Sequence, residues 1–233
     1  MDRLTRKELK TDKFALEVEH TVDWAAEHRQ ELIRYGAAAA ALAAIVLIVY
    51  GFMQYRNGVR EDALRAALRV QDAVVGAAPN DGTLSFPTEQ AKYEAVKKAL
   101  SEVAAKYPGS QQGVIAEYFL GTNAADKGDI KSAEKYFRDV ADSGYKDYAS
   151  LAKLALAPIL QSEGKAAEGE KLLRDVIDHP TTFVSKEEAT IVLARYLSSS
   201  NPAEARKLLE PLRADRSAVS RAALTALADI GQK

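Results

Sequence analysis

Hydrophobic and small residues run without a charge from Gly36 to Met53 as GAAAAALAAIVLIVYGFM, bounded by Arg34 on one side and by Gln54 and Arg56 on the other. As a helix this stretch rises roughly 27 Å, close to the thickness of a bilayer's hydrocarbon core, and it predicts a transmembrane helix over 36–54. Tyr35, Tyr50 and Tyr55 stand near its ends, where amphipathic rings favour the headgroup level. The competing reading is a buried, alanine-rich core helix, although a core helix seldom stays uncharged for so long. A polar leader of roughly 35 residues precedes the stretch, unlike the short basic start of a cleavable signal, so an uncleaved anchor is expected.

Within that leader (1–35), Phe14, Val18, Val22, Ala25 and Leu32 recur at helical spacing. Glu17, Glu19, Asp23, Glu27 and Glu31 fall mostly on other faces, which predicts an amphipathic helix over 12–34. That helix would lie on a membrane or a partner, or would simply extend the anchor.

Beyond residue 110 the hydrophobic pattern repeats every 36 residues. Ala133, Gly169 and Ala205 are equivalent small positions; four residues on come Phe137, Leu173 and Leu209, and three further on Val140, Val176 and Leu212. These i, i+4, i+7 steps define one helix face. The same register aligns Leu120, Leu156 and Val192 in a preceding helix, with turns at Lys127-Gly128-Asp129, Glu163-Gly164-Lys165 and Ser200-Asn201-Pro202. Each unit therefore reads as two antiparallel helices that approach closely where the small residue sits. Three such units fill 111–216, and the pattern is of the tetratricopeptide type.

A degenerate helical hairpin is predicted before them over 55–110, with one helix at 57–77 continuing from the anchor, a loop at 78–83 and a second helix at 88–106. A final helix over 217–230, in the C-terminal segment 217–233, is placed to cap the stack. The expected fold class is all-α: a single N-terminal transmembrane helix followed by a tetratricopeptide-type right-handed α-solenoid. On this register the first helices line a groove through Tyr118, Thr122, Leu154, Gln161, Thr190 and Ser198, with Tyr118 and Leu154 as the anchors for a bound protein segment. The alternative for each is packing between adjacent units.

Composition narrows the chemistry. Lys plus Arg number 32 against 33 Asp plus Glu, a net charge of −1, so no overall pull toward nucleic acid exists. The chain has no cysteine, which removes disulfides, thiolate metal sites and cysteine nucleophiles. Its three histidines, His20, His28 and His179, fall in no metal-binding spacing, and no phosphate-binding glycine loop or nucleophile elbow occurs. Neither a catalytic site nor a cofactor is expected. Charge does not settle orientation: Arg56, Arg60, Arg65 and Arg69 follow the span, whereas Arg29 and Arg34 precede it and five further basic residues lie earlier in the leader.

The order of elements resembles the bacterial YfgM-like family, the membrane-anchored tetratricopeptide proteins described as ancillary subunits of the SecYEG translocon. The resemblance begins at DWAAEHRQEL (23–32), passes through Tyr35, Gly36 and the anchor, and continues into the arginine-rich helix ending in VQDAV and through the repeats. It implies a bacterial inner-membrane protein with a cytoplasmic N-terminus and a periplasmic repeat domain, whose partners are translocon subunits, periplasmic chaperones or exported chains. A scaffold subunit of another envelope complex and a cytosol-facing regulator are the alternatives.

Overall fold

The computed structural model of the chain describes residue 24 and residues 26–77, 83–213 and 218–231. The leader positions Phe14, Val18, Val22 and Ala25 lie outside the described residues, as does most of the loop at 78–83. Two compact units divide at Gly58.

In the first unit the dominant feature is the start of a 43-residue helix, α1 (Arg29–Gln71). Its most apolar 18-residue window is long and hydrophobic enough to cross a bilayer and has no buried residue. Leu42, Ile45, Val46, Leu47 and Ile48 are all exposed, whereas a helix in the core of this chain would bury one face.

The second unit begins with the end of α1 and continues through α2 (Glu89–Lys106), α3 (Gln111–Asp126), α4 (Ile130–Ala141), α5 (Lys146–Ser162), α6 (Ala166–Asp178), α7 (Lys186–Leu197), α8 (Pro202–Leu209) with a 3-10 turn at Glu210–Arg213, and α9 (Ala218–Gly231). Starts are set by side chains that accept orphan backbone N–H groups. Thr88, Ser110, Asp129, Ser185 and Asn201 do so for α2, α3, α4, α7 and α8. Between paired helices the chain reverses at Gly128 and Gly164, 36 residues apart, with φ of +76° and +78° that favour glycine. The third turn has Ser200 instead and relies on the Asn201 cap and on Pro202 in the first helical turn.

One expectation is corrected. The helix anticipated over 57–77 stops at Gln71, and Val74–Val75 (β1) pairs in parallel with Ser85–Phe86 (β2). The amide of Val74 donates to the Leu84 carbonyl and that of Gly76 to Phe86, both at 2.9 Å. Two adjacent β-branched residues before a glycine at φ +106° favour extended backbone over another helical turn. Apart from this two-residue ladder, the regular elements among the described residues are all helical.

From α2 to α8 each helix packs chiefly on the next, α3 also meets α5 and α5 meets α7, and α9 packs on both α7 and α8. Leu64, Val96, Leu100, Val103 and Leu120 form the apolar core around α1, α2 and α3. Phe137, Val140, Leu156 and Leu160 form that of α3 to α5, and Leu173, Leu193, Leu209, Ala226 and Ile230 that of α5 to α9. Burial of each such side chain is worth about 1.5–3 kcal/mol.

The small positions lie at the crossings. Ala133 and Ala205 are wholly buried, as is Ala157. A methyl group at Gly169 would lie 2.8 Å from the Ala157 carbonyl and collide with the Tyr196 hydroxyl; one at Gly121 would lie 2.8 Å from the Phe137 ring. The 36-residue register thus places small residues where α3 crosses α4 and α5 crosses α6.

The register carries charge as well. Arg138 on α4 pairs with Glu134 at 2.9 Å and reaches Glu168 on α6 at 2.6 Å. Thirty-six residues on, Arg174 on α6 pairs with Glu170 at 2.7 Å and reaches Glu204 on α8 at 2.5 Å. One arginine clamp is therefore repeated between successive second helices. Hydrogen bonding to Arg138 holds the Glu134 and Glu168 carboxyls below the usual range.

Candidate functional site

Tyr118, near the middle of α3, is half-buried and lies against Phe119 and Phe137, with ring centroids 5.7 and 5.9 Å away. On its other flank it meets the edge of Tyr148 on α5 at 5.5 Å, and Tyr148 in turn meets Phe183, before α7, at 5.4 Å. The edge-to-face angles of 69° and 80° are those that aromatic quadrupoles prefer. One continuous row of rings therefore crosses from the first pair of helices to the start of the third.

The row has an open end and two polar handles. Phe183 is 47% exposed. Thr182, next to it, is fixed because its amide donates to Asp147 Oδ1 at 3.0 Å. The hydroxyls of Tyr118 and Tyr148 have no hydrogen-bond partner among the described residues. Partial burial raises the pKa of both phenols, with the neighbouring Tyr148 adding to the shift at Tyr118. Both therefore stay protonated at neutral pH, with an O–H to donate and an oxygen to accept.

The other positions expected in the groove lie outside this row, and Thr190 lines the larger of the two clefts described below. Leu154 packs between the apolar clusters of α5, α6 and α7, and Pro158 has no N–H to offer its carbonyl. Gln161 Nε2 donates to the Tyr196 carbonyl at 3.2 Å, tying α5 to α7. Thr122 donates to the Phe119 carbonyl and Thr190 to that of Lys186, within their own helices, and Ser198 caps α7. Only Tyr118 of the six belongs to the aromatic row. Tyr148 and Phe183 are not at its repeat-equivalent positions, so periodicity alone did not point to them; the three rings meet on a diagonal across the units.

Two clefts flank the second and third repeats at equivalent places. One, of about 450 Å³, lies between Ala141, Ser150, Val176 and Thr181 and is spanned by Lys153, whose ammonium donates to Asp175 at 2.6 Å. That bond lowers the Asp175 pKa. In the other, of about 650 Å³, the equivalent positions are Ile177, Lys186 and Leu212, and the ion pair is replaced by Ala189 and Pro211. The second cleft is accordingly larger and floored by Ile177, Leu208 and Leu212.

Comparison with known families gives a match between residues 32–190 and the model of a tetratricopeptide repeat-like domain. Comparison with curated proteins and with solved structures gives no significant match.

Proposed function

The chain belongs to the tetratricopeptide repeat-like domain family, and from that premise we propose that it is a membrane-anchored module that binds other proteins rather than an enzyme. The observation that carries this reading is the row Tyr118, Tyr148 and Phe183, which runs from α3 across α5 to the loop before α7 and presents two phenols without a hydrogen-bond partner among the described residues. Rigid aromatic side chains supply large contact area at low entropic cost and dominate interface energetics. An extended, partly apolar segment would stack on the rings and offer backbone carbonyls to the hydroxyls.

In this reading residues 36–54 span a bilayer, and the hairpins from α1 to α9 stack as a right-handed solenoid with neighbour-to-neighbour contacts. The resemblance to the YfgM-like proteins supports a bacterial inner-membrane location, a periplasmic repeat domain, and service to the translocon and periplasmic chaperones in handling exported chains. A second reading, a cytosol-facing regulator, is favoured by Arg56, Arg60, Arg65 and Arg69 beyond the span.

One labelling experiment separates them. A single cysteine at Lys165, exposed in the turn before α6, is treated in intact cells with a membrane-impermeant thiol reagent. Labelling is expected; protection that ends on lysis would sink the periplasmic reading. In the same chain, Tyr118→Ala with Tyr148→Ala and Phe183→Ala should abolish photocrosslinks made from Thr182 while leaving helicity unchanged. Undiminished crosslinking would remove the aromatic row as the binding surface.

A further inference from the structure

Tyr107, in the turn between α2 and α3, carries two cations on its ring. The Arg60 guanidinium carbon lies 6.0 Å and the Lys106 ammonium 5.4 Å from the ring centroid, within reach of a cation–π attraction. Neither cation forms an ion pair with a carboxylate among the described residues. Arg65, by contrast, holds Glu61 at 3.0 Å and Asp62 at 3.9 Å. Two positive charges without an ion-pair partner among the described residues therefore converge on one amphipathic ring, with Lys106 exposed and Arg60 and Tyr107 partly buried.

The position of Arg60 along the chain gives this cluster its partner. α1 runs without a break from the apolar stretch, and Arg60 follows Gln54 by six residues, a rise of about 9 Å. The polar headgroup layer extends about 5–8 Å beyond the hydrocarbon core, and an arginine stem reaches along apolar surface toward the charge it seeks. Tyrosine favours the same layer.

We propose that Arg60, Lys106 and Tyr107 form a docking point for anionic phospholipid headgroups, seating the turn between α2 and α3 on the membrane surface. The choice of occupant rests on charge complementarity: phosphate is the counterion that a bilayer presents next to the anchor, and it accepts from both guanidinium and ammonium groups. The site depends on residues 36–54 spanning the bilayer.

The test uses the full chain in lipid nanodiscs and exploits its lack of native cysteine. A fluorophore on Ala105→Cys, an exposed position beside the cluster, is exposed to lipids with a quencher on the headgroup. Strong quenching is expected in discs containing anionic lipid. Neutral lipid, Arg60→Gln or Lys106→Gln should each shift the docked-to-undocked ratio about fivefold or more. Quenching that is equal in neutral and anionic discs, or unmoved by both substitutions, would overturn the site. A second fluorophore at Leu47→Cys, read with a quencher in the acyl chains, separates the two layers of the reading. An unquenched Leu47 probe overturns the anchor and the docking point together; a quenched Leu47 probe with an unquenched Ala105 probe overturns the docking point alone. Circular dichroism checks that each variant keeps its helicity, and Lys106→Gln decides if Arg60→Gln does not.

Discussion

At the scale of single residues, the crossings tolerate no added atom. Gly169→Ala would drive a methyl group against the Ala157 carbonyl, a backbone atom that cannot rotate away, and against a tyrosine whose hydroxyl is held at 2.8 Å by the Ala166 carbonyl. Overpacking of this kind costs about 1–3 kcal/mol, and denaturant unfolding of Gly169→Ala should show a loss of that size. Gly144→Ala, with nothing within 4 Å of the new atom, is the control and should change stability by less than about 0.5 kcal/mol. Ala133→Leu tests the same principle between α3 and α4, because Ala133 is wholly buried. An unchanged melting temperature there would mean that the crossing has room the register denies.

Among elements, charge and capping do the joining. Ser110 accepts from the Gly113 amide and donates to the Tyr107 carbonyl at 2.7 Å. It thereby starts α3 and fixes the end of α2, so Ser110→Ala should cost about 1 kcal/mol in thermal or denaturant unfolding. The arginine clamps make stability depend on pH in a defined direction. A carboxylate whose pKa is lower in the folded state adds stability above its unfolded value and loses it as pH falls through the folded one. With Glu134 and Glu168 both held below the ordinary value of 4.5, their contribution is complete at neutral pH and fades on acidification below that value. Melting temperatures measured from pH 7 down to pH 3 should fall less steeply in Arg138→Met than in the parent protein. Parallel curves would show that the clamp carries no energetic weight. The pair is partly exposed, so solvent screening keeps its contribution small.

For the whole molecule, contacts pass from each helical pair to the next, so the ends matter more than in a protein with one central core. α9 packs through Ala223, Ala226 and Ile230 with Leu193, Leu209 and Ile191. Removing residues 218–233 would uncover those side chains. The truncated chain should melt at a lower temperature and elute as aggregate on gel filtration; a monomer of unchanged stability would show that α9 is dispensable. At the near end, Leu64 and Ala67 of α1 are buried against α2 and α3. The end of α1 therefore supplies part of the apolar surface on which α2 and α3 pack.

By itself the sequence determined the periodic features: an uncharged stretch as long as a bilayer is thick, and a 36-residue spacing that puts Ala133, Gly169 and Ala205 at helix crossings and Leu156, Leu173 and Leu209 in the core. Local rules suffice there, because helix faces and turn glycines depend on neighbours within a few residues. The limit of those rules shows at Gln71, where the helical pattern of 57–77 gives way to a ladder between β1 and β2. Val74 and Val75 need Ser85 and Phe86 as partners, and a pairing across ten residues leaves no trace in a helical period. Only the tertiary structure brought Tyr118, Tyr148 and Phe183 into one row, packed Leu154 partly buried against two apolar clusters, and set Arg60 and Lys106 on the same ring. Each of those meetings depends on how successive helices cross, a geometry set by side-chain volume at the crossings and not by spacing along the chain.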